Sequence, residues 1–246
     1  MLTHELIERL RSLRLTGMAE ALDRQLTQPA THEELSFEQR LALLVDTEVT
    51  ARENRRIDRG LRIAKLRYRA SVHDIDYRHR RGLKKAHMAS LIQGDWLHKH
   101  HGLLITGQTG TGKSWLACAL GDNACRLGFT VRYFRASRLF KALEIARGDG
   151  SYAKQLIALA RTDLLILDDF ALEPLAARHR NDLLEIMEDR YGERATLVTS
   201  QIPVQHWHKA IGEPTLADAI LDRLVHNAHR LELDGETMRA ALETNS

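Results

Sequence analysis

Two hydrophobic periods divide this chain. Up to about residue 95, apolar residues recur at helical spacing with charged residues between them: Leu6, Leu10 and Leu13, then Met18, Leu22 and Leu26. Pro29 ends the second helix, and Ser36 with Gln39 forms a capping box that opens a third, whose buried side is predicted at Leu41, Leu44 and Val45. From residue 102 the pattern changes to short apolar runs alternating with amphipathic stretches, the signature of a parallel α/β sheet. Strands are predicted at 103–105, 130–135, 164–167, 196–198 and 229–233, with helices at 115–127, 137–147, 152–161, 181–191 and 216–226. A linker near 94–101 is expected to join a helical domain, 1–95, to an α/β domain, 96–246.

The first strand runs into GQTGTGKS, residues 107–114, and a helix follows. This is a P-loop in its confirming strand-to-helix context. Gly107, Gly110 and Gly112 let the backbone turn so that successive N–H groups face a polyphosphate, and Gln108, Thr109, Thr111 and Trp115 complete the expected cradle. Lys113 supplies a point charge for the β and γ phosphates, the Ser114 hydroxyl can ligate Mg²⁺, and the helix start adds its positive dipole end. ATP or GTP is the predicted ligand.

The most apolar strand ends in Asp168 and Asp169. Two acids at the carboxyl end of a buried strand need a positive partner, and ligands of open α/β sheets bind at that edge. Asp168 is assigned to Mg²⁺ and Asp169 to polarising the attacking water, with a helix N-cap as the structural alternative for Asp169. Thr199, Ser200 and Gln201 end the next strand, where one of them could bond the γ-phosphate or the water; a turn before Pro203 competes as the explanation.

Composition adds limits. A 43% hydrophobic content suits a globular core, no apolar stretch reaches membrane-spanning length, and the N-terminus lacks signal-peptide regions, so a cytoplasmic location is expected. Cys118 and Cys125 are read as small buried residues, and His98, Lys99, His100 and His101 as a solvated run. The formal charge of +3 hides an asymmetry: residues 52–85 hold 13 Lys and Arg against 4 Asp and Glu. Arg52, Arg55, Arg56, Arg59 and Arg62 recur at helical intervals, a ladder suited to a phosphate backbone, and the basic run continues through Lys65, Arg67, Tyr68, Arg69, Arg78, Arg80, Arg81, Lys84 and Lys85. A solvated face with Glu53 and Asp58 as partners, or pairing with the α/β domain, is the structural alternative.

With these elements in view the chain resembles the IstB-like ATP-binding proteins, transposition helpers encoded beside an insertion-sequence transposase. The likeness runs through nearly the whole chain and is carried by GTGKSWLACALG, GDGSYAK, LLEIMEDRY, SQIPVQHWH, TLADAILDRLVHNAH, LELDGETMR and Arg81-Gly82-Leu83. DnaC and DnaA resemble it more distantly within the AAA+ class. The resemblance implies a P-loop AAA+ core with a five-stranded parallel sheet, an all-helical N-terminal domain before it, and a reduced or absent C-terminal lid. It implies ATP and Mg²⁺ as cofactors, held by Lys113, Ser114 and Asp168, with Asp169 as the second Walker B acid and Ser200 or Gln201 as the sensor. Arg223 corresponds to an arginine finger that completes a neighbour's site, so a homo-oligomer is implied. Double-stranded DNA and a transposase are the implied partners. The sequence departs from the AAA+ pattern in offering only Arg239 where a lid arginine is usual, and Asp169 where Glu is usual. Competing readings are a DnaC-like helicase loader, an ATP-locked DNA-coating protein and, least supported, a small-molecule kinase.

Overall fold

The computed structural model describes residues 2–79, 81–235 and 237–238. It divides into two compact units, Met1–Arg59 and Gly60–Ser246. Residues 60–95, grouped above with the helical domain, fall in the second unit. The expected reduction of a C-terminal lid, together with Arg239 and Arg80, lies outside the described residues.

The first unit contains α1 (Leu2–Ser12), α2 (Thr16–Thr27) and most of α3 (Phe37–Ala64). The predicted capping box opens α3: the Ser36 N–H donates to Gln39 Oε1 at 2.9 Å, and the Gln39 N–H returns a bond to Ser36 Oγ at 3.3 Å. Small residues let α2 and α3 cross closely, since a Cβ on Gly17 would stand 2.8 Å from Glu48 Cα. The expected apolar seam is corrected here. Leu10, Met18, Leu22 and Leu44 are half-buried, but Leu6, Leu13, Leu26, Leu41 and Val45 are exposed, whereas Ile7, Ala19, Ala21 and Glu48 are buried. Long leucines cannot occupy a crossing this tight, so the small residues between them fill it.

In the second unit, residues 65–84 were expected to be helical, but the described residues among them hold only a 3₁₀ turn at Val72–Asp74. Then α4 (Lys85–Gln93) and α5 (Asp95–His98) lead into β1 (Gly102–Gly107). The expected linker near 94–101 is in part core: Trp96 and Leu97 of α5 are buried among β1 and the helix that follows it, because two large apolar side chains gain more there than in water, while His98 and Lys99 of the run read as solvated are exposed. The remaining elements are α6 (Lys113–Arg126), β2 (Val131–Arg135), α7 (Ala136–Gly148), α8 (Tyr152–Ala160), β3 (Leu164–Phe170), α9 (Ala177–Arg190), β4 (Ala195–Ser200), α10 (Trp207–Ile211), α11 (Pro214–Val225) and β5 (Ala228–Leu233). All five predicted strands are present and every pairing is parallel, in the order β2-β3-β4-β1-β5. Leu164, Leu165, Ile166 and Leu167 of β3 are buried on both faces, as a parallel strand between helical layers requires. Cys118 and Cys125 are buried and unpaired, as expected. This order brings the carboxyl ends of β1, β4 and β3 side by side, and the chemistry collects there.

Candidate nucleotide site

The loop after β1 turns sharply. Gly107 has φ +150°, and a Cβ there would lie 2.1 Å from the Leu233 carbonyl oxygen of the paired β5, so no larger residue fits. Lys113, the first residue of α6, curls back: its Nζ donates to the carbonyls of Gly107 and Gln108 at 2.7 Å each. Thr111 Oγ1 also donates to the Gln108 carbonyl, at 2.9 Å. Around this loop lies a cavity of about 600 Å³, lined by Thr109, Gly110, Gly112, Lys113, Ser114 and Trp115 among others. Its size and its lining of loop, lysine and helix start suit a nucleotide.

Asp168 faces the same place. It is fully buried, and its Oδ1 accepts from Ser114 Oγ at 2.7 Å and from Thr199 Oγ1, while its Oδ2 accepts from Tyr133 Oη. Burial and the bond to Asp168 push the Tyr133 phenol up, so it remains a donor. The two predicted Mg²⁺ ligands, Ser114 and Asp168, are therefore already in contact through oxygens, the donor type that this hard cation prefers.

Asp169 owes its direction to a bulge. The β3–β4 register runs Leu167 to Val198 and then Phe170 to Ser200, so Asp168 and Asp169 together face Thr199 alone. Asp169 takes φ +57°, its N–H donates to Thr199 Oγ1 at 3.1 Å, and its carboxylate turns into the cavity. There Arg135, at the end of β2, binds Asp169 Oδ2 through Nε at 3.0 Å and Nη2 at 2.9 Å. Arg67 Nη1 stands 3.7 Å from Asp168 and 3.8 Å from Asp169. The positive partner that two acids at a strand end require is thus partly supplied by the protein.

The two sensor candidates separate. Gln201 lines the cavity and accepts from Thr109 Oγ1 at 2.6 Å. Ser200 is buried, with Oγ donating to the Phe170 carbonyl at 2.8 Å and accepting from the Ile202 N–H at 3.1 Å; it braces the β3–β4 edge. Arg223 is not brought to this cleft. It lies beside Gly102, the first residue of β1, at the opposite edge of the sheet, donating to the Ala219 carbonyl at 2.8 Å and to Glu188 at 2.9 Å. The ladder arginines Arg52, Arg55, Arg56, Arg59 and Arg62 are all exposed on α3.

Periodicity missed four contributors: Tyr133, Arg135, Arg67 and Arg81. Arg135 pairs in register with Asp168, so the polar end of β2 was a usable signal. Arg67 and Arg81 were read with the basic run, but both line the cavity. The Arg81 guanidinium is buried against the loop, donating to the Thr111 carbonyl at 3.0 Å, and burial lowers its pKa below the usual arginine value. No local pattern in an irregular segment announces such a contact.

Comparison with known proteins agrees with this geometry. The description "IstB-like ATP binding protein" matches residues 8–246. An insertion sequence ATP-binding protein of Sinorhizobium fredii, y4pL, is 52% identical over 97% of this chain and 97% of its own length. The IS1162 ATP-binding protein of Pseudomonas fluorescens is 48% identical over 82% of this chain and 88% of its own. Among solved structures, a DnaC helicase loader aligns with TM-score 0.54 at 17% identity, covering 71% of this chain and 98% of that one. A DnaA initiator bound to AMPPCP and single-stranded DNA aligns with TM-score 0.56 at 19% identity, covering 70% of this chain and 52% of that one. The fold is that of the DnaC and DnaA AAA+ domains, and the family match runs over nearly the whole length. The chain belongs to the IstB-like ATP-binding protein family.

Proposed function

We propose that this protein is an ATP-hydrolysing helper of transposition that assembles on duplex DNA with ATP bound, prepares the target and stimulates a partner transposase. The observation that carries the reading is the contact of Ser114 with Asp168 beside Lys113, in a chain whose full-length relatives belong to insertion sequences. In this reading the loop amides and Lys113 hold the phosphates, and Ser114 and Asp168 hold Mg²⁺. The metal, when bound, neutralises charge on the transferred phosphoryl group. Gln201, at hydrogen-bond distance from Thr109, orients groups at the γ-phosphate end. Asp169 accepts the proton of the attacking water once its carboxylate leaves Arg135.

Arg223 points the reading toward an oligomer. Its place at the far edge of the sheet suits a guanidinium that serves a neighbour's nucleotide, with Glu188 holding it ready. The exposed arginine ladder of α3 supplies phosphate contacts to DNA. Insertion-sequence relatives favour a transposase over a replicative helicase as the partner. Capture experiments with each partner test this choice. The cognate transposase is expected to be retained with ATP and lost on Lys113→Ala, and retention of a replicative helicase in its place would contradict the proposal.

A further inference from the structure

The ladder is only one wall of a more specific feature. Arg52 and Arg55 of α3 line an open cleft of about 460 Å³ together with Arg11, Arg14 and Thr16 from the α1–α2 corner. The first two are more than thirty residues from the others in sequence, and no periodicity links them. We infer that Arg11, Arg14, Arg52 and Arg55 form a phosphate-gripping cleft for the backbone of duplex DNA; this rests on the duplex-DNA reading above and adds a second strand of contacts to it.

The cleft is built around a buried carboxylate. Glu48 is almost wholly shielded, and both its oxygens are used: Oε2 accepts from the N–H groups of Gly17 and Met18 at 2.7 and 3.2 Å, and Oε1 accepts from Arg52 Nε and Arg55 Nη2 at 2.7 and 3.2 Å. Burial alone would raise its pKa, but the Arg52 bond and the two backbone donors outweigh that and hold it below the ordinary glutamate value. Glu48 thus fixes the start of α2 and two guanidinium groups at once. Arg55 also donates to Thr16 Oγ1, which ties the two walls together.

The opposite wall is equally deliberate. The α1–α2 turn closes with Arg14 N–H to Arg11 carbonyl at 2.9 Å and Leu15 N–H to Leu10 carbonyl at 2.9 Å, a Schellman closure in which Arg14 has φ +62°. Glycine is the usual residue at that position; here the turn carries the exposed Arg14 side chain instead. Nearby acids do not cancel the charge. Glu8 pairs with Arg11 at 2.7 Å and Glu48 serves Arg52 and Arg55, which leaves four guanidinium groups facing two carboxylates. The Arg11, Arg52 and Arg55 side chains remain 52%, 59% and 44% exposed, open to a polyanion. A cleft lined by four arginines and a threonine fits a phosphodiester chain, and planar guanidinium groups suit its oxygens.

The test uses the full chain with ATP and a fluorescein-labelled duplex, titrated by anisotropy across a sodium chloride series. Arg11→Gln/Arg14→Gln replaces exposed side chains, and Arg56→Gln/Arg59→Gln serves as the ladder comparison. Each lost phosphate contact flattens the dependence of log affinity on log salt by roughly 0.9, so the Arg11/Arg14 pair is expected to flatten it by about one to two. A merely structural role would not move that slope. If the ladder variant flattens the slope while the Arg11/Arg14 variant matches wild type, the cleft is not a DNA contact and the duplex-DNA reading stands. If wild type binds no duplex at any salt, that reading fails and takes the cleft with it. An unchanged DNA slope with lost binding of polyglutamate would assign the cleft to an acidic protein segment and overturn the inference.

Discussion

Lys113 and Asp169 divide the work at the cleft by their surroundings. Lys113 sits inside the loop, within reach of the carbonyls that shape the phosphate cradle, whereas Asp169 stands at the rim in an ion pair with Arg135. In the proposed function, one charge serves binding and the other turnover. Lys113→Ala is expected to abolish measurable ATP binding, because the loop loses its mobile cation against several negative charges. Asp169→Asn removes the proton acceptor and keeps the shape, so ATP affinity should stay near wild type while turnover falls on the order of 10²- to 10⁴-fold. Equilibrium binding of a fluorescent ATP analogue, measured beside phosphate release, checks both. Equal loss of affinity in the two variants would contradict this division.

At the scale of elements, strand order decides which residues can meet. The β2-β3-β4-β1-β5 order sets the ends of β1, β4 and β3 together and leaves the end of α11 at the other edge. Arg223 thus lies away from the cavity that the P-loop lines, and the trans role proposed for it is testable. Arg223→Ala should leave ATP affinity of dilute protomers unchanged yet lower DNA-stimulated hydrolysis, by a factor on the order of 10³ or more, as for arginine fingers. Lys113→Ala protomers retain Arg223, so mixing the two inactive variants should restore turnover at mixed interfaces. No recovery in mixtures shown to co-assemble would count against action in trans.

Much at this scale was legible beforehand. Five strands, the P-loop helix and the Ser36–Gln39 cap are periodic or local features, fixed by a handful of neighbouring residues. The contact of Ser114 with Asp168 followed from the rule that ligands gather at the carboxyl edge of a parallel sheet. Long-range choices were not legible. Whether Ser200 or Gln201 reached the cavity depended on the β3 bulge, which one extra residue creates. The burial of Trp96, the irregular path of 65–84 and the insertion of Arg81 under the loop are tertiary packing decisions. Likewise, the apolar face expected on α3 gave way to a Gly17 crossing that only the folded pair reveals.

For the whole molecule, the proposed function couples charge to nucleotide. Basic residues are concentrated in 52–85 and the rest of the chain is net acidic, so a polyanion is expected to engage selected faces. Some of that basic run belongs to the nucleotide cavity, as Arg67 and Arg81 show. Among the described residues no helix is long and apolar enough to cross a membrane. In the proposed function, DNA drives assembly of protomers whose shared sites then hydrolyse ATP. The most direct measurement is steady-state phosphate release with and without duplex DNA, over a range of protein concentration, for wild type and Asp169→Asn. The expected result is a DNA-stimulated rate per protomer that rises with protein concentration and disappears in Asp169→Asn. A wild-type rate indifferent to both DNA and concentration, or an Asp169→Asn rate equal to wild type, would contradict it.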